Sequence, residues 1–165
     1  MSMVSRMPRG EVVVPDRHAG GASQTPPDLV ELLTATSRRL SRTVAAALAE
    51  DGATLDGYRV LRSLVAAPGR TMGQLGAGLH LPGPTATRVV DGLVDAALAY
   101  RLPDPADRRR VVVHPSALGR TRLVRWEALV QAREQALAGS LGDRRVAELA
   151  GALGRLLAEL SDDEN

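Results

Sequence analysis

The sequence predicts a mainly α fold with one small β-hairpin, and three observations carry that prediction. Apolar residues recur at helical spacing through most of the chain. Pro68-Gly69 and Leu81-Pro82 cut the middle into short pieces. Two Val- and Leu-bearing segments flank the turn signal Pro103-Asp104-Pro105. The 165 residues suit one compact domain with a tail, and a chain of this size buries roughly two thirds of its unfolded surface.

Residues 1–27 contain Pro8, Pro15, Pro26, Pro27, Gly10, Gly20 and Gly21 with no sustained period, so they read as a mobile N-terminal tail. From Asp28 a stripe of Leu29, Leu32, Leu33, Leu40, Val44 and Leu48 predicts a helix that stops near Gly52. A second helix follows Thr54 with Tyr58, Leu61, Leu64 and Val65 on its apolar face. Thr71-Met72-Gly73-Gln74 has capping-box spacing, a hydroxyl for one orphan N–H and an amide to reach back, and opens a short helix ending near Leu79. After Leu81-Pro82, Gly83 is expected as N-cap and Pro84 as first helical residue, where its missing N–H costs nothing.

Tyr100–Leu102 and Val111–His114 are then expected as two short strands, with three arginines on the returning side. Ser116 can cap a long helix through Leu123, Trp126, Val130 and Leu137, and Asp143 can cap the last. Val146, Leu149, Leu153, Leu156 and Leu160 follow at steps of three and four. Such a heptad seam needs another helix to pack on.

Composition excludes several chemistries. Without Cys there is no disulfide, no thiolate nucleophile and no Cys-ligated zinc. Lys is absent too, which removes Schiff-base chemistry and a P-loop lysine. Phe and Ile are missing and Asn occurs only at Asn165, a pattern that follows from avoidance of AT-rich codons. The exclusive use of Arg therefore carries little weight by itself; its distribution carries more. Net charge is +1 over residues 1–69, +5 over 70–125 and −4 over 126–165. A basic middle beside an acidic end points to a polyanion at the middle.

No nucleophile, base and orienter converge in the pattern, so an enzyme is not expected. His18, His80 and His114 lack metal-ligand spacing, and Gly76-Ala77-Gly78 falls short of a dinucleotide loop, so neither metal nor cofactor is expected. The longest apolar runs, Val44–Ala49 and Val111–Val113, are far below the roughly 20 residues of a membrane-spanning helix. A soluble, cytoplasmic protein with no membrane partner is the expectation.

Two short helices joined at His80-Leu81-Pro82, followed by an Arg-rich hairpin, form a winged helix-turn-helix. Thr85, Thr87 and Arg88 occupy the early turns of its second helix, where side chains can reach base edges; the alternative for the two threonines is helix capping and packing. Thr71 and Gln74 lie at a helix N-terminus suited to phosphate, and with Arg70 they are assigned to the DNA backbone. Arg108, Arg109 and Arg110 read either as a solvated charge run or as DNA contacts, and the helix-turn-helix directly upstream favours contact. Trp126 reads as core or as a pocket wall, and Arg38, Arg39, Arg42, Arg59 and Arg62 as helix-surface charges or a groove lining.

The motifs also carry a family resemblance. Residues 28–160 resemble the MarR family of bacterial winged-helix regulators, through Thr54-Leu55 with Tyr58-Arg59-Val60-Leu61, Thr71 with Leu75, and Thr85-Ala86-Thr87-Arg88-Val89-Val90-Asp91-Gly92-Leu93. The wing segment Pro103-Asp104-Pro105-Ala106-Asp107-Arg108-Arg109-Arg110-Val111, with Gly119-Arg120 after it, is the most specific match. Ala97 stands where the family usually has Gly, and Pro115-Ser116 where it has Leu-Thr.

The resemblance implies a homodimer built from helices at about 28–51 and 116–160, a DNA-binding lobe at about 54–115, and an acidic tail at 161–165. It implies double-stranded DNA with a palindromic operator as partner, repression as the activity, and a small-molecule effector that releases the complex. Gly83, Pro84, Thr85, Thr87 and Arg88 would then face the major groove. Arg109 would enter the minor groove with Asp107 orienting it, flanked by Arg108 and Arg110, and Arg101 would lie near backbone phosphates. The alternative is a winged-helix module that binds a protein partner and no nucleic acid.

Overall fold

The computed structural model of the protein describes residues 28–162. Its elements run α1 (Leu29–Ala49), α2 (Leu55–Ala66), β1 (Arg70–Thr71), α3 (Met72–Leu79), α4 (Gly83–Asp95), β2 (Ala99–Pro103), β3 (Val111–Pro115), α5 (Ala117–Leu141) and α6 (Asp143–Asp162). The segment expected as a mobile tail, residues 1–27, lies outside the described residues. Helix α6 runs two residues into the segment expected as an acidic tail.

Most helices open where a short polar side chain accepts an otherwise orphan N–H. The Asp28 carboxylate accepts from Glu31 N–H at 2.7 Å, Thr54 Oγ1 from Gly57 N–H at 3.0 Å and Ser116 Oγ from Gly119 N–H at 2.8 Å. At α3 the box is complete: Thr71 Oγ1 accepts from Gln74 N–H at 3.2 Å, and Gln74 Oε1 accepts from Thr71 N–H at 2.9 Å.

Two predicted starts shift by one residue. Pro82, not Gly83, occupies the N-cap of α4, Gly83 is the first helical residue and Pro84 the second. The Pro82 carbonyl accepts from Ala86 N–H at 2.9 Å, so the backbone opens the helix with no side-chain cap. Likewise Asp143 is the first residue of α6, because the Gly142 carbonyl already accepts from Val146 N–H at 3.2 Å.

The sheet has three antiparallel strands in the order β1-β3-β2. Two were expected; β1 pairs Arg70 with Val113 and Thr71 with Val112. On the other side of β3, Arg101 lies opposite Val113 and Tyr100 opposite His114. The core is made by Leu48 of α1, Tyr58, Val60, Leu61 and Leu64 of α2, Leu75, Val90, Val113, and Leu123 and Trp126 of α5. Full burial of a Leu contributes about 1.5–3 kcal/mol against about 1 for a cap, so caps place the helix ends and this cluster holds them together.

Helix α6 supplies none of the core. Among the described residues its predicted seam is only partly covered: Val146 and Leu156 are half-buried, while Leu149 is 47%, Leu153 39% and Leu160 56% exposed. At the other end Leu29, Val30, Leu32 and Leu40 of α1 are exposed as well.

Candidate nucleic-acid interface

The turn between α3 and α4 is locked by backbone chemistry. His80 adopts the left-handed region at φ 52°, His80 N–H donates to Ala77 O at 3.2 Å and Leu81 N–H to Gly76 O at 2.9 Å. These are the two bonds of a Schellman motif. Gly76 permits the approach, since a Cβ there would sit 3.2 Å from Leu81 O. From α2, Arg59 Nη2 donates to Leu79 O at 2.9 Å while Nη1 lies 3.4 Å from Asp56 Oδ1. Arg59 thus fastens the turn to the core helix. Arg62 stacks over the Tyr58 ring at 5.2 Å and donates to its hydroxyl at 3.2 Å, while Arg38, Arg39 and Arg42 are exposed on α1.

On α4 the expected contact residues are not equivalent. Gly83, Pro84, Thr87 and Arg88 are exposed and Thr85 is half-buried. Thr87 Oγ1 donates to Gly83 O at 3.0 Å, so its hydroxyl proton is engaged by its own helix. Among the described residues, the Arg88 guanidinium has no hydrogen-bond or ion-pair partner.

At the α3 N-terminus the capping box uses Thr71 and Gln74 as side-chain acceptors. The hydroxyl proton of Thr71 and the amide protons of Gln74 remain to be donated, beside the positive end of the helix. Arg70 points elsewhere: its guanidinium lies beside Gly78, near the far end of α3, and its Nε is buried without a hydrogen-bond partner among the described residues.

The wing tip is shaped by its own aspartates. Asp104 Oδ1 accepts from Ala106 N–H at 2.9 Å and Asp107 Oδ1 from Arg109 N–H at 3.1 Å, both local turn bonds. Asp104 N–H donates to Arg110 O and Arg110 N–H to Asp107 O, each at 2.9 Å, which closes the loop. Asp107 therefore orients Arg109 through its backbone, not its guanidinium; the side chain it faces is Arg110, at 3.7 Å. The guanidinium groups of Arg108 and Arg109 have no partner among the described residues.

Arg101 is engaged within the lobe. Its Nη2 donates to Asp91 Oδ1 at 2.7 Å, joining β2 to α4. Asp91, Asp104 and Arg59 are residues whose parts in the lobe the sequence reading missed. Only the Asp-Pro turn signal around Asp104 could have pointed to one of them.

Trp126 is 3% exposed, a core residue, and it also walls a cleft of about 450 Å³ with Thr54, Asp56, Arg88, Val89 and Leu93. Among the described residues no group of three or more His, Asp or Glu side chains is placed to hold a metal ion, and no helix is long and apolar enough to cross a membrane.

Two short helices meeting at a locked turn, with an Arg-bearing hairpin beside the second, define a winged helix-turn-helix lobe. The MarR family model matches residues 52–110, which are this lobe. Over this segment the chain is similar to the MarR family of winged-helix regulators. Similar solved structures include the transcriptional repressor CouR bound to a 23-mer DNA duplex, 27% identical over 79% of this chain and 92% of that one, with a TM-score of 0.74. Wild-type MarR in its apo form from E. coli is 28% identical over 79% of this chain and 98% of that one, TM-score 0.72. A mutant MarR from E. coli complexed with operator DNA is 28% identical over 78% and 93%, TM-score 0.71. No curated protein matches the chain.

Proposed function

We propose that the chain is a sequence-specific transcriptional regulator, not an enzyme, that acts in the cytoplasm as a homodimeric repressor of a palindromic operator and is released by a small ligand. One observation carries the reading: the recognition helix and the wing present the guanidinium groups of Arg88, Arg108 and Arg109 with no partner among the described residues, on a lobe whose residues 54–115 carry a net charge of +3. The family match over residues 52–110, and similar structures solved as a repressor on a duplex and on operator DNA, support it.

Arg88, with Gly83, Pro84, Thr85 and Thr87, lies against the major groove; guanidinium is the side chain best matched to guanine edges there. Arg109, flanked by Arg108 and Arg110, enters the minor groove, where a narrow groove concentrates negative potential. Thr71 and Gln74 donate to phosphate, and Arg70 adds charge behind them. The exposed apolar faces of α1 and α6 are assigned to the second copy, so that two lobes meet two half-sites about one helical turn apart. The cleft shared by Arg88 and Trp126 supports an effector site, because a ligand there touches both the recognition helix and α5.

Selection of bound duplexes from a random library tests this directly. A palindromic motif with affinity falling steeply in salt is expected. Equal affinity for the recovered palindrome and a scrambled duplex would sink sequence-specific recognition. If no duplex were recovered and a protein partner stayed bound after Arg88→Ala and Arg109→Ala, the lobe would be an interaction module.

A further inference from the structure

Asp91 sits in the second half of α4 and Arg101 in the middle of β2, and the two side chains meet at 2.7 Å. Between them the chain reverses through Ala96-Ala97-Leu98, with Ala97 in the left-handed region at φ 57°. The pair thus closes the corner between the recognition helix and the wing. Its two ends are differently anchored. Arg101 lies opposite Val113, a fully buried residue of the central strand, so its backbone belongs to the rigid core. Asp91 is three residues, close to one helical turn, beyond Arg88.

An ion pair whose side chains are 33% and 49% exposed is screened by solvent and adds little to folding. Its larger effect is on geometry. Arg88 and Arg109 stand on separate elements, and both can engage one site only if helix and wing keep a fixed relation. We infer that Asp91–Arg101 is a positioning clamp that holds the recognition helix at a set angle to the wing, so that both elements fit the same stretch of duplex. The inference rests on the DNA-binding reading. It makes Arg101 a positioning residue in place of the phosphate contact expected from sequence.

The clamp and plain electrostatics predict opposite signs for one substitution. A carboxylate near DNA is repelled by phosphates, so Asp91→Asn should tighten binding if charge alone matters. A clamp predicts that the same change loosens recognition.

The test uses the full-length protein with the duplex recovered by library selection, and a scrambled duplex of equal composition, each titrated at several salt concentrations. Asp91→Asn and Arg101→Ala should each lower the preference for the selected duplex about five- to tenfold, the scale of a lost specific contact. The double variant should lose no more than the larger single loss, and Asp91→Arg combined with Arg101→Asp should recover part of the preference. Melting midpoints that stay within a few degrees of wild type would show that folding is not what changed. The clamp is overturned if Asp91→Asn keeps or gains specific affinity. It is equally overturned if Arg101→Ala only lowers the salt slope by about one with the preference unchanged, the signature of a phosphate contact. A wild-type chain that selects no duplex overturns the DNA-binding reading itself, and the clamp with it.

Discussion

Trp126 donates its indole N–H to Asp51 Oδ2 at 2.9 Å, tying α5 to the turn that ends α1. The same carboxylate accepts from Arg122 at 3.1 Å and faces Arg125 Nε at 2.9 Å, while Glu50 lies 3.8 Å from Arg133. Helices α1 and α5 are therefore stapled to each other through the residue that walls the cleft.

Stability should depend on the charge of Asp51. Burial works against its carboxylate, but hydrogen bonds from Arg122 and Trp126 and the charges of Arg125 and Arg122 outweigh it and hold the carboxyl below the ordinary aspartate range. A lowered pKa in the folded state means that the contribution is fully present above the unfolded value of about 3.9 and is lost as pH falls from there through the folded pKa. Urea midpoints measured from about pH 6 down to about pH 3 should show this loss in wild type, and Asp51→Asn should lack that component. Identical pH profiles for the two proteins would remove the staple's electrostatic role.

Gly119 should tolerate no side chain. A Cβ there would fall inside the contact radius of the Leu98 carbonyl oxygen and press on Leu61 Cδ1 at 3.2 Å. That carbonyl also accepts Ser116 N–H at 3.0 Å, and Ser116 Oγ donates to Ala97 O at 2.7 Å, so backbone on both sides is held. Gly119→Ala should cost about 3 kcal/mol or more, read as a large drop in the chemical denaturation midpoint.

Ala97 should be improvable. Ala97 N–H donates to Val94 O at 2.8 Å and Leu98 N–H to Leu93 O at 2.8 Å, a Schellman ending in which the left-handed position is filled by Ala. Replacing it by Gly relieves the Cβ penalty and costs some unfolded-state entropy, for a net gain of about 0.5–1 kcal/mol. A lowered melting midpoint for Ala97→Gly would contradict the assignment of strain to this corner.

The three wing arginines should separate in binding assays. Arg109→Ala should weaken specific binding by about 1–3 kcal/mol, whereas Arg110, already facing Asp107, should cost less. Equal losses at the two positions would mean that the loop contributes charge alone.

The open seam of α6 should be what holds two copies together. Leu149→Glu with Leu153→Glu should shift the protein toward a monomer in analytical ultracentrifugation and abolish binding to the full palindrome while half-site binding persists weakly. An unchanged sedimentation coefficient would place the dimer contact elsewhere.

Features that depend on near neighbours in the chain were legible from it. Thr71 with Gln74, and Ser116, cap as read, because an N-cap involves residues three apart. The start of α4 was misread by one position because Pro82 opens the helix with a carbonyl, which any residue carries. Strand β1 left no trace in the sequence, since two residues have no period and their partners Val112 and Val113 lie some 40 residues away. The Asp91 partner of Arg101 was hidden for the same reason: the two meet only after the chain reverses at Ala97. The leucines of α6 announce a seam, but periodicity is silent on which chain supplies the other half.

The wing loop holds two carboxylates beside three guanidinium groups, so its formal charge is only +1. Both carboxylates are turned onto the loop's own amides, at Ala106 and Arg109. The tip is thus a polarised object, negative toward its own backbone and positive toward solvent, and an approaching polyanion meets more positive potential than the charge count implies.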